Sequence, residues 1–217
     1  MIRLSGMAAM LGSVVWALCS VKLMFVQWGE PGSYSYENYE FYNRLLALSL
    51  PLLMAGSVGL QASRGRRYGW PGRLGFGLTF AGFALVFIGA VGEFWLFTDQ
   101  PYAIPWSGRA ISYTTGFLGL LVLIVGSAFL SVATLRARMP PFIGAFLLGV
   151  SYPLAILVSI LFGLIGWWWI LQNWAFFMYP VPFALAWAVL GYALWSCRGE
   201  LAAADTGKAD ETTQGTP

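Results

Sequence analysis

The sequence predicts an all-α integral membrane protein, a polytopic bundle of transmembrane helices. Of its 217 residues, 59% are hydrophobic and only 10% are charged, and the mean hydropathy is +0.70. Soluble domains are usually about 45–50% apolar. The apolar residues also form continuous runs, whereas a membrane β-barrel would show short segments of alternating polarity. Most of the chain therefore belongs in a bilayer.

Six apolar runs are each close to the length of about 20 residues that a helix needs to cross the hydrocarbon layer. The predicted spans are Leu4–Gln27, Phe41–Ala62, Leu74–Phe97, Tyr113–Leu135, Phe142–Ile170 and Trp174–Ser196. They form one transmembrane domain, residues 1–197. Residues 198–217 are polar and without apolar periodicity, which predicts a disordered cytoplasmic tail. The first run is too long for a cleaved signal peptide and no A-x-A site follows it, so we expect it to stay as the first helix.

The positions of the basic residues predict the orientation. They cluster after the second and fourth runs and beside both ends of the transmembrane domain: Arg3, Arg64, Arg66, Arg67, Arg73, Arg136, Arg138 and Arg198. The positive-inside rule places these sites, and with them both termini, in the cytoplasm. A multi-pass protein of the bacterial cytoplasmic (inner) membrane is predicted. The excess of basic residues is then explained by the membrane topology, and no nucleic-acid partner is expected.

The absence of certain residue types and motifs limits the classes of function that are expected for this chain. It contains no histidine, which removes Ser-His and Cys-His nucleophile systems and the usual zinc and haem ligands. Cys19 and Cys197 are predicted to lie too far apart across the membrane to form a disulfide. There is no G-x-S-x-G elbow, P-loop or dinucleotide-binding motif at a strand-to-helix turn. We therefore predict no enzymatic activity, no metal site and no cofactor held by protein ligands.

Small residues recur every seven positions in the first four runs. The glycines predicted to pack helices are Gly6, Gly56, Gly75, Gly82, Gly89, Gly119 and Gly126. This spacing keeps a narrow stripe facing one neighbour, and small side chains let two backbones approach closely. The pattern predicts a compact bundle. A glycine-lined pore is the alternative interpretation.

Aromatic residues are dense in the connections predicted to lie outside the cell. Anchoring of amphipathic rings at the membrane interface accounts for such residues. Alternatively, the outer connections fold over the bundle and form an aromatic surface for a lipid, a quinone, a pigment tail or a partner helix. The candidate surface consists of Trp95, Trp106, Trp167, Trp168 and Trp169.

Two ionisable residues, Lys22 and Glu93, lie within the predicted spans. At about 1.5 Å per residue, Glu93 lies about 28 Å from Leu74 and Lys22 about 27 Å from Leu4. Both positions are near the outer boundary of the membrane, and both helices run outward. We predict that the two side chains form an ion pair that holds the first helix against the third. The alternatives are that each side chain reaches water independently, or that Glu93 is a functional proton or cation site.

Four stretches carry a resemblance to other proteins: "RLSGMAAMLG", "LMAGSVGLQ" with the Arg-rich turn after it, "GRLGFGLTFAGFALVFIG" and "TLRARMPPFIGAFLL". In these stretches the chain resembles a loose group of small, uncharacterised bacterial six-helix integral membrane proteins. The resemblance covers most of the membrane part. It implies a polytopic fold and supplies no catalytic or binding residue.

These observations favour a non-enzymatic accessory or structural subunit that packs against a larger membrane complex or against lipids. The alternative is a small-solute or ion transporter or channel. A transporter would be expected to carry polar or ionisable side chains at the membrane midplane. The predicted midplane offers hydroxyls, such as Ser57, Thr79 and Ser127, and no carboxylate or base.

Overall fold

The computed structural model describes residues 1–25, 34–64, 68–137, 141–164 and 180–196. Within these ranges the chain forms six α-helices, and a π-helical turn, Gly92–Leu96, directly follows the third of them. The prediction of an all-helical chain is confirmed. The helices are α1 (Ile2–Phe25), α2 (Tyr34–Arg64), α3 (Gly69–Val91), α4 (Gly108–Arg136), α5 (Phe142–Leu164) and α6 (Pro180–Ser196).

Four helical segments are long and apolar enough to cross a membrane: Ile2–Leu23, Glu37–Ser63, Gly69–Leu96 and Gly108–Arg136. Two apolar segments, Phe142–Leu154 and Pro180–Ser196, are shorter in the described chain. These helices support the predicted class, a helical transmembrane protein, by their length and composition. The predicted tail, residues 198–217, and the parts of the fifth and sixth spans within residues 165–179 lie outside the described residues.

Helices α2, α3 and α4 begin earlier than the predicted spans. Helix α2, for example, begins at Tyr34 and includes the polar residues Glu37 and Glu40 before Phe41. Hydropathy marks only the part of a helix that lies in hydrocarbon, whereas the backbone hydrogen bonds continue into the headgroup layer. The helices are therefore longer than their apolar cores.

The six helices close into a ring in chain order. Each helix packs against the next one along the chain, and α6 packs against α1. Neighbouring helices run antiparallel, as the contacts of α1 with α2 illustrate: Gly12 approaches Ser49, whereas Gly56 approaches Ala9. This arrangement gives α1 and α3 different neighbours, because α1 lies between α2 and α6, and α3 lies between α2 and α4.

Aromatic side chains of α1, α3 and α6 contact one another in the interior of the helix ring. Phe83 of α3 lies with its ring centroid 5.6 Å from that of Trp187 and 6.0 Å from that of Phe183, both on α6. Trp16 of α1 contacts Phe183 with a centroid separation of 5.7 Å. All four side chains are buried, and Phe83 and Phe183 are 0% exposed. These buried aromatic contacts therefore join α1 and α3 to α6 in the interior of the described bundle.

Among the described glycines, those between α3 and α4 bring two helix backbones closest together. A Cβ added at Gly82 would lie 2.6 Å from the backbone nitrogen of Leu123, a distance at which the helices would have to move apart. The seam repeats every seven residues and is reciprocal. Along it Gly75 meets Leu130, Gly82 meets Leu123, Gly89 meets Gly116, Gly119 meets Val86, and Gly126 meets Thr79.

The other two predicted packing glycines lie at the two contacts of α1: Gly6 of α1 faces α6, and Gly56 of α2 faces α1. A Cβ at Gly6 would lie 2.6 Å from the carbonyl oxygen of Gly191 on α6, and one at Gly56 would lie 2.5 Å from the Cβ of Ala9. All seven glycines thus lie at contacts between helices. In a bilayer, where lipid supplies little drive for helix association, such close packing holds the helices together.

Candidate functional site

A group of charged and polar side chains gathers at the end of the bundle where α2 begins, the π-helical turn ends and α4 begins. We call this group the charge cluster; its members are Glu40, Arg44, Glu93, Tyr102 and Arg109. The cluster contains two carboxyl groups, two guanidinium groups and one phenol. It joins α2, α4 and the connection between α3 and α4 to the turn that carries Glu93.

Glu93 lies in the π-helical turn and is only 7% exposed. One of its carboxylate oxygens accepts a hydrogen bond of 2.5 Å from the Tyr102 hydroxyl, and Arg109 supplies a favourable charge nearby. Burial raises the pKa of the Tyr102 phenol, and the hydrogen bond to Glu93 raises it further. Tyr102 therefore stays protonated, and its hydroxyl can donate the hydrogen bond that Glu93 accepts.

Arg109, in the first turn of α4, is the most connected member of the cluster. Its guanidinium lies 3.6 Å from a Glu40 carboxylate oxygen, donates a 2.6 Å hydrogen bond to the carbonyl of Thr98, and lies 4.3 Å from the centroid of the Tyr102 ring. The side chain is nearly buried, so these interactions are weakly screened by water. Arg109 thereby ties α4 both to α2 and to the α3–α4 connection.

The π-helical turn presents a backbone acceptor to α2. Phe97 donates its N–H to the carbonyl of Gly92, five residues earlier, at 2.9 Å. Such a wide turn interrupts the regular hydrogen-bond ladder of a helix. Arg44 uses this interruption, because its Nε donates a 2.8 Å hydrogen bond to the carbonyl of Phe94. The same guanidinium pairs with Glu40, one turn earlier on α2, at 3.3 Å.

The predicted ion pair between Lys22 and Glu93 is not formed. Lys22 is exposed, and within the described chain it takes part in no ion pair. The two residues are at similar depths, but Lys22 is on α1, which packs against α2 and α6, whereas Glu93 follows α3. Tyr102 and Arg109, which the sequence analysis did not single out, occupy the place next to Glu93.

Sequence signals for the true neighbours of Glu93 exist. In the predicted topology Arg109 falls on the side that the positive-inside rule depletes of arginine, which would indicate that a carboxylate compensates it. Glu40 and Arg44 are four residues apart on one helix, a spacing at which opposite charges meet. No comparable signal marks Tyr102, since its position depends on how the connection folds.

The candidate aromatic surface is only partly described. Trp106, on the α3–α4 connection, is 86% exposed, and Trp95 is 40% exposed with its ring 6.0 Å from the Arg44 guanidinium. No ring contact joins these two tryptophans in the described chain. Trp167, Trp168 and Trp169 lie outside the described residues.

The geometry of the charge cluster suits a structural tie better than acid–base chemistry. Glu40 pairs with Arg44 and Arg109, and Glu93 accepts a hydrogen bond from Tyr102. Arg44 and Arg109 also donate hydrogen bonds to backbone carbonyls of the segment between α3 and α4. Among the described residues, no group of three or more His, Cys, Asp and Glu side chains could hold a metal ion.

Comparison with protein-family models, curated proteins and solved structures finds no match to the chain. The all-helical fold, with four helices long and apolar enough to cross a membrane, is that of the class of helical membrane proteins.

Proposed function

We propose that the chain crosses the bacterial cytoplasmic membrane six times, with both termini in the cytoplasm, and acts as a non-enzymatic accessory or structural subunit. Its partners are the lipid bilayer and the other subunits of a larger membrane complex. A bound lipid, quinone or pigment would be held by apolar and aromatic surface, because the chain has no histidine to ligate a cofactor metal.

The aromatic packing between α3 and α6 in the interior of the helix ring is the observation that carries this proposal. A transporter or channel needs a polar route between the two membrane surfaces. In the described core, Phe83 of α3 packs against Phe183 and Trp187 of α6, where apolar rings rather than polar groups meet. The buried hydroxyl of Ser57 donates to the carbonyl of Met54 on its own helix at 2.8 Å, so it is already used locally. This packing supports a subunit over a transporter.

The outward faces of the helices support contact with lipid or with other membrane proteins. On α1 the exposed large side chains form one uninterrupted apolar stripe: Leu4, Met7, Leu11, Val14, Leu18 and Val21. Such a surface is stable only in hydrocarbon or against another apolar helix. Both environments are available to a subunit within a membrane.

Antiparallel packing supports the proposed orientation. The contact of Gly6 with Gly191 brings the start of α1 and the end of α6 to the same end of the bundle. Gly75 meets Leu130, so the start of α3 and the end of α4 also lie together. Arg3, Arg73 and Arg136 belong to these helix ends, opposite to the charge cluster, and the positive-inside rule assigns such an end to the cytoplasm.

Reporter fusions test the orientation. We expect fusions within the connection that contains residues 65–67 and after Ser196 to report the cytoplasm, because both points lie at the arginine-rich end. A fusion within residues 101–106, at the other end, is the matched control and should report the outside. An external signal from the connection at residues 65–67 would overturn the proposed topology.

Recovery of the protein from its native membrane tests the subunit role. We expect the tagged chain, solubilised in mild detergent, to copurify with other membrane proteins in fixed stoichiometry, because its apolar faces are complementary to helices rather than to water. The purified chain in liposomes should move no solute or ion. The Phe83→Ala variant serves as the control for a plugged channel. Recovery of the chain alone, together with conduction by either form, would favour the transporter alternative.

A further inference from the structure

The connection between α3 and α4 exposes an apolar segment at the end of the bundle. We call residues 101–106, the sequence "PYAIPW", the aromatic tip. Every residue of the tip is exposed and none is charged, and the largest exposed fractions belong to Trp106 (86%) and Ile104 (54%). A connection that faced water would be expected to carry polar side chains.

Several polar groups around the tip form hydrogen bonds within the protein. The Ser107 hydroxyl donates to the carbonyl of Pro101 at 2.8 Å and also caps α4 by accepting from the N–H of Ala110 at 3.1 Å. The Gly108 N–H donates to the side chain of Gln100 at 2.5 Å. Together with the Tyr102–Glu93 bond, these contacts hold the tip in one shape and leave its apolar side chains on the outer surface.

The length of α4 sets the level of the tip relative to the bilayer. At about 1.5 Å per residue, its 29 residues measure about 43 Å, close to the roughly 40–45 Å of a bilayer with its headgroup layers. Trp106 stands just before the N-cap residue of α4, so it lies at the level of the headgroups. Leu96 and Ile111, on the helix ends that flank the connection, are 68% and 51% exposed and continue the same apolar surface toward the hydrocarbon.

We infer that the aromatic tip inserts into the headgroup layer of the leaflet at this end of the bundle, and that the charge cluster holds it in that orientation. Indole and aliphatic side chains are favourable at this depth, where a rigid apolar turn is shielded from water. The tip contacts lipid, because it is continuous with the lipid-facing surface of α3 and α4. The inference rests on the membrane-spanning arrangement and not on the subunit role, so the two fail independently.

Depth-dependent quenching tests the inference on the full-length chain. Cys19→Ser and Cys197→Ser remove the native thiols, and Ile104→Cys then carries a bimane label at the tip. Asp99→Cys, an exposed charged position in the same connection, carries the label in the matched control. The proteins are placed in phosphatidylcholine vesicles, with or without bromine near the top of the acyl chains, and the accessibility to aqueous iodide is measured in parallel.

We expect brominated lipid to quench the label at residue 104 and to leave the label at residue 99 unchanged, with iodide showing the opposite order. Adding Tyr102→Phe should reduce the quenching at residue 104 by lipid, because the tip loses its bond to Glu93. Equal access of iodide to both labels would overturn the inference. Protection of residue 104 in native membranes, but not in vesicles of the purified protein, would mean that a protein partner covers the tip and would also overturn it.

Discussion

Replacement of Gly82 by leucine is expected to destabilise the helix bundle by about 2–4 kcal/mol, at or above the cost of about 1–3 kcal/mol that overpacking of a core usually carries, because the clash is with backbone. Gly82 lies in the middle of the α3–α4 seam, where an added Cβ would lie 2.6 Å from the backbone nitrogen of Leu123 and 2.7 Å from its Cα. Those atoms belong to a helix backbone and cannot turn aside as a flexible side chain would. The free energy of unfolding in detergent, or the midpoint of thermal unfolding, measures the loss.

Gly77→Leu is the matched control, because Gly77 is exposed on the same helix and a Cβ there would meet nothing within 4 Å. The control introduces the same side chain into the same helix without a clash, and we expect a change within about 0.5 kcal/mol. Equal loss of stability in the two variants would show that leucine acts on α3 itself. An unchanged Gly82→Leu protein would contradict the close contact of α3 with α4.

Replacement of Arg109 by methionine is expected to cost about 3–5 kcal/mol, the usual result of removing one partner from a buried charge network. Arg109 is 5% exposed, and without it Glu40 keeps only Arg44 as a charged partner, and Glu93 keeps the hydrogen bond from Tyr102 but loses the nearby positive charge. Glu93→Gln removes one of the two carboxylates. The double variant should therefore lose less stability than the sum of the single changes, with a coupling of about 0.5–3 kcal/mol.

Lys22→Met is the control for this double-mutant cycle, because Lys22 is exposed and is the partner that depth alone suggested for Glu93. We expect Lys22→Met to change the free energy of unfolding by no more than about 0.5 kcal/mol and to be additive with Glu93→Gln. Coupling of Lys22 with Glu93, or additivity of Arg109 with Glu93, would contradict the arrangement of the cluster.

Much of the secondary structure follows from local pattern. Apolar length and composition correctly predicted helices at all six positions, since a chain in hydrocarbon must satisfy its backbone hydrogen bonds within each segment. The helix ends were less predictable. At the start of α2, Glu37 and Glu40 are helical although no apolar pattern includes them. The π-helical turn at Gly92 also has no signature in hydropathy, because its hydrogen bonds depend on how the following connection folds.

The sequence by itself determined that the chain is helical, that it belongs in a membrane, that glycine stripes recur every seven residues and that Glu93 lies near the end of its helix. These properties depend on composition and on the rise and periodicity of a single helix. Only the tertiary structure decided that Gly82 meets Leu123, and that Glu93 meets Tyr102 and Arg109 rather than Lys22. The depth of a residue follows from counting along one axis, whereas its neighbour depends on which helices are adjacent and how each is rotated. Here the closure of six helices into a ring set both, and it placed Lys22 and Glu93 on helices that do not pack side by side.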